Sequence, residues 1–422
     1  MSYQKVESAL SKLIHLYSVP VPVRFLVAFS GGLDSTVLLD ALCKQVSPTT
    51  IKAVYINHGL QAESVHWADS CKQFCQKLGV TFDVIDIQVS DTARQGVEAV
   101  ARQKRYEALY SRMEQGTILL TAHHQRDQAE TLLLNLARGA GIAGLSGMPY
   151  HKEIKFGNQY IQHCRPLLEV DYDSIRDYAS HYQLDWVEDP SNQEIDYRRN
   201  YVRHEVLPKI RQAWPFSDTS FAKSAQYLGE SLTLLNELAE MDLSESYYSD
   251  FCLSYVKVNA LGWSRLKNVT RYWAQSCLPS LRLNAKIYQW LRSCLGNENP
   301  QSKPKMILSQ GELRFYDHTL YYFVDLNMDY CMALNQFDAS ALQFFRSLSF
   351  VDQLSPDQLC KMQDAIVRPL KTKDLRSESQ KKALKKWFKM NKVPDWDRQR
   401  WPVLENRGEM IAILGFYTKE SF

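Results

Sequence analysis

The chain has 422 residues, 45% of them hydrophobic and 23% charged, with a formal net charge of +3. That length exceeds one ordinary core and predicts two or three globular domains; the composition excludes long-range disorder, and the small net charge does not by itself imply a nucleic-acid partner. No apolar run reaches the roughly 18 residues of a membrane span, and the start MSYQKVESALSKLIHLYSVP lacks the basic head and small-residue cleavage pattern of a signal peptide, so a cytoplasmic location is expected.

Apolar strands are predicted at 24–29, 51–57, 81–87 and 117–122, each followed by helical spacing at 35–45, 62–78, 97–114 and 127–138. Near-continuous apolar strands alternating with helices predict an α/β fold, a doubly wound parallel sheet with ligands at the carboxyl ends of its strands. Nine cysteines run from Cys43 to Cys360, an odd number that does not suit a disulfide framework. Cys71 and Cys75, four apart on one helix face, read as buried thiols.

The first strand runs directly into Ser30-Gly31-Gly32-Leu33-Asp34-Ser35 and then a helix. Glycines there let backbone approach an anion at a helix N-terminus, and Ser30 and Ser35 offer hydroxyls. There is no lysine of the kind that grips terminal phosphates. Asp34 would repel phosphates unless a cation lay between, which points to Mg2+ or a substrate amine. At the end of the fourth strand stand His123 and His124, followed by Asp127 and Glu130 on one helix face. Asp127 also sits where a residue could cap that helix, and Arg138 and Gly139 end it.

After Gly139 the pattern loosens into GAGIAGLSGMPYHKEIKFGNQ, a glycine-rich loop and hairpin expected to cover the active face. Pro208 and Pro215 bracket a first domain boundary, 222–295 is helical, and 306–324 alternates like a hairpin. A last module contains one basic amphipathic helix and two short strands near WPVLENRGEMIAILGFY. In that helix Leu384, Trp387 and Phe388 make the apolar stripe, with Lys381, Lys382, Lys385, Lys386 and Lys389 around it.

SGGLDS after a strand is the signature of the PP-loop ATP pyrophosphatases, which the chain resembles. YINHGL, ARQKRYEAL, AHHQRDQAETLLLNLARG, CRPLL and WVEDPSNQEIDYRRNYVRHEVLP, with KALKKWFKMNKVPDWDRQRWPVL near the end, are similar in order to the tRNA(Ile)-lysidine synthetase family. Two departures stand out: Gln61 where the family usually carries a basic residue, and LRSESQKK in place of a glycine-arginine pair.

The resemblance implies an adenine nucleotide alpha hydrolase-like catalytic domain over 1–215, a mainly helical tRNA-binding middle domain over 216–330 and a small basic α+β tRNA-binding domain over 345–422. It implies that ATP adenylates C2 of the wobble cytidine of a tRNA(Ile) bearing CAU. Free L-lysine then displaces AMP to give lysidine, changing the tRNA from Met to Ile specificity. The co-substrate is ATP with Mg2+, and the sequence allows a homodimer without requiring one. Ser30, Gly31, Gly32, Leu33, Asp34 and Ser35 are expected to bind ATP, Asp34 also the metal. Asp34 and Asp127 are the expected catalytic carboxylates, with Glu130, His123 and His124 as lysine-binding or helper groups. Arg102, Arg105, Arg138, Arg198, Arg199 and Arg203, with the tail lysines, are candidates for tRNA or phosphate contacts. A PP-loop tRNA thiolation enzyme is the alternative, although no Cys-x-x-Cys occurs.

Overall fold

The computed structural model describes the chain apart from residues 1, 18–22, 58–63, 88–93, 158, 191–193, 245, 247, 250–251, 259, 279–280, 298–303, 310, 324–331, 334–365, 372–373, 376, 392, 394, 399–400, 414–415 and 419–422. Gln61 and the expected boundary at 345 therefore lie outside the described residues. Contacts divide the chain into two compact units, 1–234 and 235–422. No helix among the described residues is long and apolar enough to cross a membrane.

The first unit is built on β1 (Arg24–Ala28), β2 (Ile51–Asn57), β3 (Thr81–Asp86), β4 (Thr117–Leu120), β5 (His151–Phe156) and β6 (Gln159–Cys164), in the order β3-β2-β1-β4-β6-β5. All pairs are parallel except β5 with β6. β1 shows why two faces are covered. Phe25 and Val27 enter one core with Leu38, Leu42, Cys75 and Tyr178, while Leu26 and Ala28 enter a second with Leu109, Met113 and Ile161. Successive side chains leave a strand on opposite faces, so a run buried throughout needs helices on both. On the first side lie α1 (Gln4–Leu16), α2 (Leu33–Cys43), α3 (Ser64–Leu78) and α7 (Tyr172–His181); α4 (Arg94–Tyr110) lies on the other.

The glycine-rich segment expected to cover the active face does something else. After the single turn α6 (Ile142–Leu145), its hairpin becomes β5 and β6, which extend the main sheet beyond β4. Ile161 and Cys164 are buried there, so the hairpin completes the core and brings His163 beside β4.

The chain reaches β3, crosses back past β1 and forms β4 on its other side. β1 and β4 thus flank the point where the winding reverses, the crevice in which open α/β sheets bind ligands. The PP-loop follows β1, and His123 and His124 precede α5 (Gln125–Ala137) just after β4.

A last helical stretch of this unit comprises α8 (Arg198–Tyr201), a π-turn over Val202–Val206 and α9 (Leu207–Ala213). Pro208 has no N–H for the carbonyl four residues earlier, and its ring crowds that carbonyl; widening the preceding turn accommodates both. The division between units falls inside α10 (Ser217–Ser244).

In the second unit α11 (Trp263–Cys277) and α12 (Ala285–Leu295) accompany a five-stranded sheet, β7 (Tyr248–Ser249), β8 (Cys252–Ser254), β9 (Lys305–Leu308), β10 (Gly311–Tyr316) and β11 (Thr319–Phe323), ordered β7-β8-β11-β10-β9. The alternating stretch read as a hairpin is thus a three-stranded meander joined to β8. A second antiparallel sheet carries β12 (Met332–Ala333), β13 (Ile366–Pro369), β14 (Pro402–Asn406), β15 (Glu409–Ile413) and β16 (Tyr417–Thr418), with α13 (Glu378–Met390) and the one-turn α14 (Asp395–Arg398). Arg407 and Gly408, at φ 49° and 82°, form the two-residue turn between β14 and β15. Leu384 and Phe388 pack on Trp401, Val403 and Ile413, as the stripe in α13 predicts.

Candidate active site

The loop after β1 is tied by short-range bonds. The Ser30 N–H donates to Ser35 Oγ at 3.2 Å, the two hydroxyls lie 3.1 Å apart, and Ser35 Oγ donates to the Gly32 carbonyl at 3.0 Å. Gly32 stands at the N-terminus of α2 in extended conformation. Gly31 has φ +77°, and a Cβ built there would lie 2.6 Å from Cys71 Sγ. Both facts require glycine. The Val187 N–H donates to the Gly31 carbonyl at 2.9 Å, so the segment after α7 braces the loop from outside.

Asp34, in the first turn of α2, points one carboxylate oxygen toward His124 Nε2 at 3.6 Å. Its other oxygen, Oδ1, is buried and has no hydrogen-bond partner among the described residues. His124 is the N-cap of α5. Its Nδ1 accepts from the Arg126 N–H at 3.2 Å, while Asp127 Oδ2 accepts from the His124 N–H at 3.0 Å, a reciprocal capping box. Asp127 Oδ2 also lies 3.5 Å from His124 Nε2, so the imidazole sits between the two carboxylates.

Behind Asp127 stands a charged lattice. Arg199 donates to Asp127 Oδ1 and to Glu130 Oε2, each at 2.7 Å. Arg203 donates to Glu130 at 2.6 and 3.0 Å and reaches Asp127 Oδ1 at 3.4 Å. Glu130 is wholly buried. The two arginines lie four apart across the start of the π-turn and thus present their forks together.

Burial alone would raise the Asp127 carboxyl, but His124, Arg199, His123 and the His124 N–H outweigh it and hold the group well below the usual carboxylate range. Burial presses His124 down, yet Asp127 and Asp34 leave it raised overall. Asp127 is accordingly a permanent anion and a weak base.

Sequence reading anticipated the PP-loop, and the structure brings Asp34 and Asp127, expected from sequence as the catalytic carboxylates, to either side of His124. The structure brings Arg199 and Arg203 onto Asp127 and Glu130, partners that no local spacing reveals. Glu130, read as a lysine-binding or helper group, has both oxygens engaged by these arginines. His123 takes no part in these ion pairs; its Nδ1 lies 2.9 Å from Thr121 Oγ1. Arg102 is exposed and stacks over Tyr106 of its own helix at 5.6 Å, Arg105 is half-buried, and Arg138 is the exposed C-cap of α5. In the tail Lys381 pairs with Glu378 at 2.6 Å, whereas Lys382, Lys385, Lys386 and Lys389 are exposed. Thr121, His163, Arg165 and Val187 carried no signal as single residues, although Arg165 lies in the CRPLL motif.

The arrangement suits ATP-dependent adenylation. Asp34 Oδ1, an anionic oxygen beside a phosphate-binding loop and unpartnered among the described residues, fits a magnesium ion that would be held through this carboxylate.

Comparison with known proteins agrees. A family model described as PP-loop domain matches residues 3–210, and one described as TilS substrate C-terminal domain matches 371–422. A tRNA(Ile)-lysidine synthase of Hydrogenovibrio crunogenus is 71% identical over 422 residues, covering 100% of both chains. Another, of Photobacterium profundum, is 33% identical over 100% of this chain and 97% of its own. Among solved structures, the U34-tRNA thiolase NcsA from Methanococcus maripaludis is 19% identical with a TM-score of 0.44, over 54% of this chain and 78% of its own. With a loop built for phosphate, two carboxylates at the winding reversal and full-length relatives of one kind, the chain belongs to the tRNA(Ile)-lysidine synthase family.

Proposed function

We propose that the site joins free L-lysine to C2 of the wobble cytidine of tRNA(Ile) bearing CAU, through an adenylated cytidine, with release of pyrophosphate and AMP. The observation that carries this reading is the placement of Asp34 and Asp127 on either side of His124, at the reversal between β1 and β4.

The PP-loop and the start of α2 receive the phosphates of ATP, with backbone N–H groups and the helix dipole favouring the anion. Asp34 Oδ1 would hold Mg2+, which supplies charge neutralisation of the phosphates. A cytosine carbonyl is a poor electrophile, and adenylation of its oxygen creates a leaving group. Lysine must then attack as the free amine, although its ordinary pKa is about 10.4. As the new C–N bond forms, the nitrogen becomes positive; Asp127, held ionised by Arg199 and His124, is a fixed anion for that developing charge. Arg203 and Glu130 keep Arg199 and Asp127 in register, so we assign them positioning roles. The exposed lysines of α13 supply attraction for the tRNA backbone.

Sulfur transfer would call for an accessible thiolate. Cys43, Cys71 and Cys75, the first three thiols of the chain, are each pushed by burial to about 12.

The test is Asp127→Asn, near-isosteric but uncharged. Lysine incorporation is expected to fall by about 100-fold or more, the scale of removing one preorganised electrostatic group, with the circular dichroism spectrum retained. An Asn variant of wild-type rate would remove Asp127 from the chemistry.

A further inference from the structure

His123 closes β4's side of the site, and behind it runs a buried chain of hydrogen bonds. Thr121 Oγ1 lies 2.9 Å from His123 Nδ1 and 2.9 Å from His163 Nε2. Arg165 NH2 lies 3.4 Å from His163 Nδ1, and Arg165 NH1 donates to the Pro149 carbonyl at 2.8 Å. Thr121, His163 and Arg165 are each at most 6% exposed. His163 is on β6, so the extension of the sheet beyond β4 is what delivers it.

The chain has one consistent direction. A guanidinium has donors and no acceptor, so His163 Nδ1 must accept. A neutral His163 then carries its proton on Nε2 and donates to Thr121 Oγ1. The single hydroxyl proton of Thr121 is left for His123 Nδ1, and a neutral His123 must carry its own proton on Nε2. Burial, reinforced by Arg165, holds His163 at about 3, and burial likewise drives His123 well below its ordinary value, so both rings are neutral at working pH. A cationic His123 would in addition turn an N–H toward a hydroxyl that already receives one from His163. His123 Nε2 has no hydrogen-bond partner among the described residues.

We propose that Arg165, His163 and Thr121 form a positioning relay that fixes His123 as a neutral Nε2–H donor for an oxygen of the reacting substrates, the cytidine O2 or an α-phosphate oxygen. A neutral imidazole donates a hydrogen bond without surrendering its proton, which suits an oxygen that gains charge only while bonds are changing. The relay thereby gives His123 a role distinct from that of His124, which lies among carboxylates.

This inference rests on the lysidine-forming reading, but its first readout does not depend on activity. In protein labelled with 15N at histidine, His123 and His163 are expected to show the Nε2–H tautomer in wild type. Thr121→Val, close to isosteric, is expected to leave the His163 signal neutral while His123 acquires Nδ1–H character. Steady-state kinetics of the same variant should show kcat lower by about 10- to 100-fold, the range for one hydrogen-bond donor or somewhat less. KM for ATP and lysine should stay within about twofold, since the bond is realised as charge develops. Thr121→Ser, which keeps the hydroxyl, should restore both the tautomer and most of kcat. An Nδ1–H tautomer of His123 in wild type would overturn the relay, as would a Thr121→Val enzyme with unchanged kcat. Absence of lysine incorporation by wild type, with the tautomers as stated, would overturn the reaction assignment and spare the relay.

Discussion

At the scale of single residues, the site is governed by side chains whose alternatives are sterically or electrostatically excluded. Gly31 is the sharpest case. An alanine there would take φ +77° with its Cβ 2.6 Å from Cys71 Sγ. The backbone term alone is about 1–2 kcal/mol, and the clash adds to it. Gly31→Ala is expected to lower the melting temperature and abolish most activity. In a Cys71→Ala background the same change should cost less, because only the contact is relieved; equal costs in both backgrounds, measured as a double-mutant cycle, would show the contact to be unimportant. Gly31, Asp34 and Asp127 were legible in the sequence because local chemistry explains them: a glycine at a strand-to-helix turn, a carboxylate without a lysine, an acid in the first turn of a helix. Arg199 and Arg203 were legible only as candidate phosphate or tRNA contacts, and Thr121 and His163 not at all. Their meaning lies in partners 42 to 76 residues away, which only the closed fold reveals.

Individual elements repeat this division between local and distant causes. The strands and helices of the first unit follow from apolar runs and spacing, and Cys71 and Cys75 are buried on one face of α3 as their separation predicts. The hairpin after Gly139 was misplaced because alternation announces a strand but not its neighbour; pairing of β6 with β4 depends on which edge remains open. The π-turn before Pro208 escaped because proline signals a break without saying how a helix absorbs it. For α3 and α2 the burial of thiols has a measurable consequence. Cys43, Cys71 and Cys75 are each held by burial at about 12, against an ordinary value near 8.5. The folded state therefore binds more protons than the unfolded state between the two values. These thiols support the fold fully below the unfolded value, and that support is lost as pH rises toward 12. Melting temperature should decline across this window, and the decline should be shallower in Cys43→Ser or Cys75→Ser once each variant is compared with its own value at pH 7. Iodoacetamide at pH 8 should modify none of the three in native protein and all three in denatured protein; rapid alkylation of Cys71 in the native state would contradict its placement.

For the molecule as a whole, the second unit carries a basic helix, α13. α13 buries Leu384 and Phe388 and leaves Lys382, Lys385, Lys386 and Lys389 exposed. Binding of tRNA through that face should weaken with salt, and each lysine that neutralises a phosphate contributes about one unit to the slope of log K against log salt. Replacing all four by alanine is expected to flatten that slope and raise the dissociation constant while sparing the folded state, since the stripe that packs on Trp401 is untouched. An unchanged slope would place the tRNA contacts elsewhere. The proposed three-part organisation into catalytic, middle and tail domains rests on the sequence; the compact units divide inside α10, a helix whose continuous spacing hides any boundary.

The most direct measurement is ATP-dependent incorporation of labelled lysine into purified tRNA, comparing tRNA(Ile) bearing CAU with tRNA(Met) bearing the same anticodon. The account predicts one lysine per tRNA(Ile), with pyrophosphate and AMP released in equal amounts and little label in tRNA(Met). Pyrophosphate release without lysine incorporation into either tRNA would contradict it, leaving an adenylating fold with a different acceptor.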